Sequence, residues 1–376
     1  MFRPQLLFDT VIAAAAFWFL LRAARHSARH LSGWRRRVTL LALGSALALI
    51  LAGLTLVIHA DLPLPATPAA ALVALSFLTT LFSIYLGCLR LSYRAALRFQ
   101  PSRRRLWKTL AGAAAAVPVT ALGFGILQRS RIRLIEQDLS FATLPQDLDG
   151  FRVALISDIH LGPFLDRRQL ARAIAMLNEC RPHLAVVAGD LITRRTDPLE
   201  DCLIELRALR ADAGVFGCLG NHERYSRLED DTTLRASQLG IRFLRQAAVR
   251  LPWGRSRIQL SGVDYQQFRR PYLTGAEALL DPQAFNILLS HNPDVFPVAA
   301  DKGFDLTLAG HTHGGQVNIE ILDQNLNPAR FFTPFIYGRY LLGRAALYVT
   351  RGLGTVGLPV RLGAPPEVAV LRLRNS

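Results

Sequence analysis

The amino-acid sequence predicts two unlike parts, an N-terminal helical membrane region at 1–133 and an α/β domain at 134–376. The first observation is charge: the 376-residue chain has a net charge of +16, and +15 of it lies in the first part. The second is hydropathy, because the long uncharged apolar runs also lie there. The third is a change near Phe151, where short β-rich runs begin to alternate with amphipathic helical segments, as in α/β sheets.

Four apolar segments predict transmembrane helices, because about 20 apolar residues are needed to cross the hydrocarbon core of a bilayer. Val38–Ile58 and the segment 69–89 contain no charged residue, whereas the uncharged Leu110–Leu127 is shorter and rich in alanine. The segment 5–21 contains Asp9, so three spans remain an alternative to four. Buried helices of a soluble domain would show polar faces at helical spacing, and these segments show none.

The loops between these segments predict their orientation. Arg22–Arg37 and Arg90–Lys108 are rich in arginine, whereas the loop 59–68 contains neither Lys nor Arg. By the positive-inside rule the arginine-rich loops are cytoplasmic, which puts the α/β domain on the periplasmic side of a bacterial inner membrane crossed several times. Ser102–Lys108 resembles a twin-arginine export signal and equally suits a positively charged anchor, so both interpretations stay open.

Charge also bears on the partners of the protein. Only +1 of the net charge belongs to 134–376, and a nearly neutral domain is unsuited to a nucleic-acid groove. We therefore expect a lipid bilayer and no nucleic acid as partners, although arginine clusters by themselves are also typical of DNA binding. The four cysteines are too far apart for a zinc motif, and we expect free thiols. The sequence does not define an oligomeric state.

Polar residues follow five predicted strands at the point where each strand ends. In open α/β sheets the carboxyl ends of the strands form the ligand-binding edge, so we expect these side chains to lie together. The residues are Asp158 and His160 after Phe151–Ser157, Asp190 after Leu184–Ala188, Asn221, His222 and Glu223 after Gly214–Leu219, His291 and Asn292 after Phe285–Ser290, and His311 and His313 after Asp305–Ala309.

These motifs indicate a shared site only as a set. Taken singly, the Asp-x-His, Gly-Asp and Asn-His motifs are typical of turns and helix caps. Their occurrence in this order at successive strand ends favours one ligand-binding centre. Aspartate, asparagine and histidine without cysteine suit Mn, Fe or Zn in an open site, and they argue against a closed structural zinc site.

The set of motifs resembles that of the calcineurin-like metallophosphoesterases. The segment Gly310–Gln316, GHTHGGQ, together with the membrane region, is similar to a bacterial membrane-anchored branch of that family. The resemblance implies a four-layer αββα sandwich with two divalent metal ions at its edge. The family pattern D-x-H, G-D, G-N-H-[DE], H and G-H-x-H is present as Asp158/His160, Gly189-Asp190, Gly220–Glu223, His291 and Gly310–His313.

The resemblance also implies a ligand set. Two carboxylates opposite two divalent ions leave a net positive site, which attracts phosphate and keeps the ions strong Lewis acids. A hydroxide held between the ions would then attack phosphorus. One ion would be held by Asp158, His160, Asp190 and His313, and the other by Asp190, Asn221, His291 and His311.

Four further residues receive expected roles. His222 is expected to protonate the leaving oxygen or to stabilise charge in the transition state. Glu223 is expected to orient a ligating histidine. Asn292 and Arg361 are candidates for phosphate contact, although hydrogen bonding within a loop and ordinary surface charge explain them at least as well.

The predicted function is that of a membrane-anchored, metal-dependent phosphoesterase acting on phospholipid or cell-envelope phosphate esters. Two alternatives stay open: pyrophosphate cleavage in UDP-2,3-diacylglucosamine during lipid A synthesis, and a membrane sensor whose domain binds a ligand without turnover. The first substrate is cytoplasmic, so the location of the C-terminal Ser376 discriminates between it and the leading hypothesis. The complete set of candidate ligands argues against the sensor.

Overall fold

The computed structural model of the chain describes residues 16–25, 29, 32–58, 76, 79–80, 82–90, 92–94, 104–266, 271–321 and 324–376. The chain divides into two compact units, Met1–Gly123 and Phe124–Ser376. Much of the predicted segments 5–21 and 69–89, and the loop 59–68, lie outside the described residues.

The first unit is helical where it is described. Helix α1, Gly33–Ile58, contains the predicted span 38–58, and residues 16–25 and 82–90 are also helical. Helix α2, Arg104–Gln128, runs across the boundary between the units. Within the described residues one helix, Arg105–Gln128, has the length and the mean hydropathy, 1.9, of a membrane span. The structure thus supplies one candidate span, and the four-helix region remains a prediction.

The second unit contains two six-stranded sheets and a two-stranded hairpin among the residues that the structure describes. The strands are β1 Arg133–Phe141, β2 Arg152–Ile156, β3 Leu184–Val187, β4 Val215–Gly217, β5 Ile241–Phe243, β6 Ala247–Trp253, β7 Ser256–Gly262, β8 Phe285–Leu289, β9 Leu306–Ala309, β10 Ile319–Ile321, β11 Gln324–Leu326, β12 Gly338–Leu342, β13 Ala345–Val349 and β14 Glu367–Asn375. The first sheet has the order β1-β14-β2-β3-β4-β5, the second β12-β13-β9-β8-β7-β6, and β10 pairs with β11.

Helices connect these strands, as the alternating sequence pattern predicts. The α-helices are α3 Arg167–Glu179, α4 Leu199–Leu206, α5 Asn221–Ser226, α6 Glu229–Gln238 and α7 Phe296–Lys302. Short 3₁₀ helices lie at Gln146–Leu148, Ala276–Leu279, Pro293–Val295, His313–Gly315 and Pro328–Phe331.

The two large sheets pack face to face. Strand β2 shows why: Val153 and Leu155 join an apolar cluster with residues of the second sheet, such as Ile287, whereas Ala154 and Ile156 join a cluster with α3 and α4. Successive strand residues point to opposite faces, so a fully apolar strand is buried on both. The cluster that includes residues of α7 and the end of β9 covers the second sheet in the same way. The mixed α/β class with two sheets is confirmed.

The topology brings the predicted strand ends to one edge. Strands β2, β3 and β4 are parallel in the first sheet, and β8 and β9 are parallel in the second. Their loops are joined by backbone hydrogen bonds, including Asp158 N–H to the Gly189 carbonyl (3.0 Å) and Gly310 N–H to the His291 carbonyl (3.2 Å). The loops that carry the candidate residues therefore lie side by side.

Candidate metal centre

Five candidate ligands have an unusual backbone conformation. Asp158, His160, Asp190, His311 and His313 have φ angles between 47° and 74°, in the left-handed region. This conformation costs an L-residue about 1–2 kcal/mol, because Cβ crowds the following carbonyl oxygen. Such strained residues persist where the surrounding fold holds them, and they concentrate at functional sites. Their concentration at one sheet edge therefore indicates that the fold positions these side chains for a function.

Glycines let the ligand loops approach each other closely. A Cβ atom on Gly220 would lie 2.1 Å from Asp190 Oδ1, and one on Gly310 would lie 2.1 Å from Ser157 Oγ. Both distances are far below van der Waals contact, so any side chain at either position would push the loops apart. The glycines of the G-N-H and G-H-x-H motifs are thus required because the loops of the site pack closely against each other.

The first group of candidate ligands consists of Asp158, His160 and His313, which present one ligand atom each within 4.8 Å of one another. His313 Nε2 lies 3.3 Å from Asp158 Oδ1. The rings of His160 and His313 stack with centroids 5.0 Å apart. All three side chains are at least nine-tenths buried.

The second group consists of Asp190, His291 and His311, again with ligand atoms within 4.8 Å of one another. His291 Nε2 lies 3.1 Å from Asp190 Oδ2 and 3.2 Å from His311 Nδ1. Asp190 also belongs to a cluster with His160 and His222, and its Oδ2 lies 3.6 Å from His160 Nε2. Asp190 therefore lies between the two groups.

Two buried atoms of the site make no hydrogen bond in the structure, and both suit a metal ion. They are the amide oxygen Asn221 Oδ1 and the ring nitrogen His160 Nε2. A buried polar atom without a partner costs about 1–3 kcal/mol, which a metal–ligand bond offsets. With two carboxylates and four imidazoles around them, these atoms fit a divalent cation.

Hydrogen bonds on the far side of the rings fix which nitrogen faces the centre. His291 Nδ1 lies 2.6 Å from the Ala188 carbonyl, and His160 Nδ1 lies 3.0 Å from Thr193 Oγ1. A carbonyl only accepts, so His291 carries its proton on Nδ1 and presents Nε2 to the centre. Such partners orient metal-ligating imidazoles and raise their basicity.

The charges of the site are strongly coupled. Burial raises the pKa of Asp158 to about 6, and the neighbouring Asp190 carboxylate adds to this rise. Burial opposes the charge on His291, but Asp190 and Asp158 outweigh it and raise the His291 pKa to about 10. Burial lowers the pKa values of His160 and His311 to about 3, so both rings are neutral and offer a lone pair. A cation entering the site therefore meets ionised Asp190 and competes with the proton on His291.

His222 lies beside the two groups. Its Nδ1 is 2.8 Å from the Thr193 carbonyl, and its backbone N–H donates to Asp190 Oδ1 (2.9 Å). Because the carbonyl holds the Nδ1 proton, Nε2 is the nitrogen free to give or take a proton at the centre. This geometry suits proton transfer to a leaving oxygen.

Glu223 has contacts that differ from the expected one. It is fully buried and accepts three backbone N–H bonds, from Asp190 (3.0 Å), Leu191 (2.7 Å) and Gly220 (2.8 Å). From sequence Glu223 is expected to orient a ligating histidine, whereas in the structure its carboxylate holds the backbone at Asp190. Glu223 thus fastens the loop after β3 to the loop after β4.

Asn292 and Arg361 are both fully buried and bonded within the protein. The Asn292 side chain donates to the Gln266 carbonyl (2.8 Å) and accepts from the Asp294 N–H (3.0 Å). The Arg361 guanidinium donates to backbone carbonyls, including those of His313 (2.8 Å) and Arg351 (2.7 Å). Each side chain therefore holds a loop of the site, as one of the alternatives from sequence allows, and phosphate contact stays a prediction.

Sequence reasoning missed Thr193 as a site residue. Its hydroxyl contacts His160 and its carbonyl contacts His222, so one residue orients two imidazoles. Thr193 lies three residues after Asp190 and outside any motif, and no local pattern distinguishes it from an ordinary loop threonine.

Comparison with known proteins agrees with this geometry. The model of the calcineurin-like phosphoesterase family matches residues 151–315, which include all the candidate ligands. The chain belongs to this family, and it is a hydrolase of phosphoric esters whose clustered Asp and His side chains suit divalent metal binding.

Particular relatives match most of the chain. It is 31% identical over 283 residues to the uncharacterised metallophosphoesterase YkuE of Bacillus subtilis, and the match covers 73% of this chain and 98% of YkuE. It is 28% identical over 283 residues to the phosphodiesterase YaeI of Escherichia coli, covering 72% and 99%. A transmembrane protein with a metallophosphoesterase domain from Danio rerio is 28% identical over 263 residues, covering 65% and 58%.

Proposed function

We propose that the protein is a membrane-anchored phosphoesterase that works with two divalent ions of Mn, Fe or Zn. The observation that carries the proposal is the pair of ligand groups on either side of Asp190. In this proposal Asp158, His160 and His313 hold one ion, while Asn221, His291 and His311 hold the other. Asp190 contributes to both.

The chain's own residues account for the remaining chemistry. Divalent ions bound here supply Lewis-acid stabilisation of the phosphate oxygens and activate water near neutral pH. His222 donates the proton on Nε2 to the leaving oxygen, and the Thr193 carbonyl stabilises the imidazolium through Nδ1. Glu223 keeps the Asp190 backbone in place, so that the bridging carboxylate does not move during turnover.

We further propose that the substrate is a phosphate ester of a phospholipid or of the cell envelope. The uncharged segments and the arginine-rich loops favour an inner-membrane protein with about four spans and a periplasmic domain. Helix Arg105–Gln128 supports one of these spans, and two relatives, from Danio rerio and Bos taurus, are named transmembrane proteins. A membrane anchor raises the local concentration of lipid-borne phosphates, which favours substrates of that class.

The activity is tested on the purified full-length chain with Mn, Fe or Zn. The panel contains a phosphomonoester, the phosphodiester bis(p-nitrophenyl) phosphate and a UDP-linked lipid. We expect metal-dependent hydrolysis of the phosphodiester, and a His291→Ala variant that stays folded but loses bound metal and activity. His183→Ala is the matched control, because His183 bonds the Arg152 N–H away from the centre. Full activity and full metal content in His291→Ala would contradict the proposed ligand set.

The orientation is tested with a reporter fused after Ser376. A periplasmic signal is expected from the positive-inside pattern. A cytoplasmic signal would contradict the proposed orientation and favour the UDP-2,3-diacylglucosamine pyrophosphatase alternative.

A further inference from the structure

Two phenylalanines protrude from the surface of the second unit. Phe331 is 88% exposed and Phe332 is 73% exposed, more than any other large apolar side chain described in residues 124–376. Each exposed aromatic ring leaves apolar surface in water, which is unfavourable by about 25 cal/mol per Å². Single exposed apolar side chains are common, but two large rings at neighbouring positions form an apolar patch, and such patches are typical of interaction surfaces.

The backbone holds the two phenylalanines in place, because the segment Asn327–Thr333 is fixed at both ends. Asn327, which is 4% exposed, donates to the Gly314 carbonyl (3.0 Å) next to the candidate ligand His313. At the other end the Thr333 hydroxyl donates to Asp294 Oδ1, three residues after the candidate ligand His291. The two phenylalanines therefore lie on a bridge between the two loops that carry these ligands.

The same part of the unit is joined to the end of the candidate membrane span. Arg361 N–H donates to the Gly125 carbonyl (3.0 Å), and Gly363 N–H donates to Gln128 Oε1 (2.8 Å). Gly125 and Gln128 are the last residues of α2. The 361–363 segment also bonds the chain that follows His313, since Asn318 N–H donates to the Leu362 carbonyl (2.7 Å). A hydrogen-bonded path thus leads from the carboxyl end of α2, through 361–363 and 313–318, to Asn327.

We propose that Asn327–Thr333 is a membrane-contacting segment whose two phenylalanines insert into the interfacial region of the lipid bilayer. The inference rests on the membrane placement in the proposed function. The bilayer is the occupant that the observations favour, because the segment is connected to the end of the helix that would leave that bilayer. The exposed Arg330, directly before the phenylalanines, suits an anionic lipid headgroup.

Membrane insertion of this segment would determine how a lipid substrate reaches the candidate metal centre. Insertion of Phe331 and Phe332 brings the two ligand loops to the lipid headgroup layer, where a lipid phosphate ester lies. The substrate would then reach the centre without leaving the bilayer surface.

The test uses the full-length chain in nanodiscs of phosphatidylcholine and phosphatidylglycerol, in a background in which Cys88 and Cys180 are serine. These are the two thiols that are not fully buried. A nitroxide is attached to Phe331→Cys or Phe332→Cys, and its collision rates with oxygen and with a polar nickel reagent are compared. The control is Leu341→Cys, a 58% exposed apolar residue of β12. It lies near the turn of the β12–β13 hairpin, opposite the ligand edge, because β13 is parallel to β9.

We expect the labels at 331 and 332 to collide preferentially with oxygen and the label at 341 with the nickel reagent. Equal nickel accessibility at 331 and 341 would overturn the proposal. Spectral broadening at 331 that disappears on dilution with unlabelled protein would also overturn it, since the surface would then bind a second copy of the chain.

The outcome is separable from that of the proposed function. The proposed membrane placement fails if the wild-type chain does not remain with the nanodiscs. If the chain remains there and the 331 and 332 labels stay in water, only this inference fails. Phe331→Ser/Phe332→Ser is expected to hydrolyse bis(p-nitrophenyl) phosphate at the wild-type rate, and to lose roughly tenfold in rate on a phosphodiester borne by the nanodisc lipid.

Discussion

Replacing Glu223 with glutamine tests how the fold positions the candidate ligand Asp190. The Glu223 carboxylate accepts N–H bonds from Asp190, Leu191 and Gly220, and it has no exposed surface. A glutamine retains one oxygen, which still accepts from Asp190 and Gly220. Its NH₂ group must then face the Leu191 N–H, so that one bond is lost and two donors oppose each other.

The magnitude follows from these three bonds. An unsatisfied buried donor costs about 1–3 kcal/mol, and the two remaining bonds lose about 0.5–1 kcal/mol each when the acceptor becomes neutral. The expected loss of unfolding free energy is therefore about 3 kcal/mol. For a domain of this size that corresponds to a fall in Tm of roughly 6–12 °C.

The assay is a thermal melt of the full-length chain after chelator treatment, followed by measurement of metal uptake. Glu277→Gln is the matched control, because the Glu277 carboxylate is exposed and its ion pair is with the surface residue Lys302 (2.7 Å). Glu223→Gln should melt earlier and take up metal more weakly, whereas the control should do neither. A Tm within about 2 °C of the wild-type value would refute the reasoning, because the loss of one buried hydrogen bond alone is expected to lower the Tm by more than that.

Three other predictions concern Thr193, His291 and Arg361. Thr193→Val removes the hydroxyl beside His160 Nδ1 but keeps the shape of the side chain. Metal affinity, measured by chelator competition, should therefore fall roughly 10- to 100-fold, and an unchanged affinity would contradict the orienting role of Thr193. Metal affinity should rise with pH through the neutral range. Asp190 and Asp158 raise the His291 pKa to about 10, so a metal ion must displace a proton from His291 to bind there. Calorimetry in two buffers of different ionisation enthalpy should detect this proton release. Arg361→Lys should lower the unfolding free energy, measured by denaturant titration, by about 3 kcal/mol, because an ammonium group replaces a planar guanidinium that bonds several carbonyls. An unchanged unfolding free energy would contradict the role of Arg361 in holding these loops.

The candidate site was largely predictable from sequence because its residues are local signals. Each candidate ligand follows an apolar strand, and parallel strands deliver their carboxyl ends to one edge. Asp158, Asp190 and His291 needed no knowledge of the packing to be named as candidates. The α/β class was predictable from the alternation of strands and helices, whereas the arrangement in two sheets was implied only by the family resemblance.

Other features depend on contacts between distant parts of the chain. Strand β1 was not predicted, because its role is to pair in parallel with β14, more than two hundred residues later. From sequence, Arg361 is a candidate for phosphate contact, and its burial is not predictable because it depends in part on the His313 carbonyl, which lies on a separate loop. Thr193 contacts the rings of His160 and His222, and Glu223 contacts the backbone of Asp190. Only the folded chain brings these groups together.

The left-handed backbone at the ligand positions has a consequence for mutational scanning. At Asp190 or His311 an alanine removes the ligand but keeps the Cβ that makes the conformation unfavourable, and it also loses every side-chain bond that holds the loop. Part of the measured defect then comes from the loop and not from the missing ligand atom. Glycine adopts the same φ without strain, so the difference between the alanine and glycine variants at one position reports how much of the defect comes from backbone strain. At these positions glycine therefore deletes a candidate ligand without leaving that strain in place.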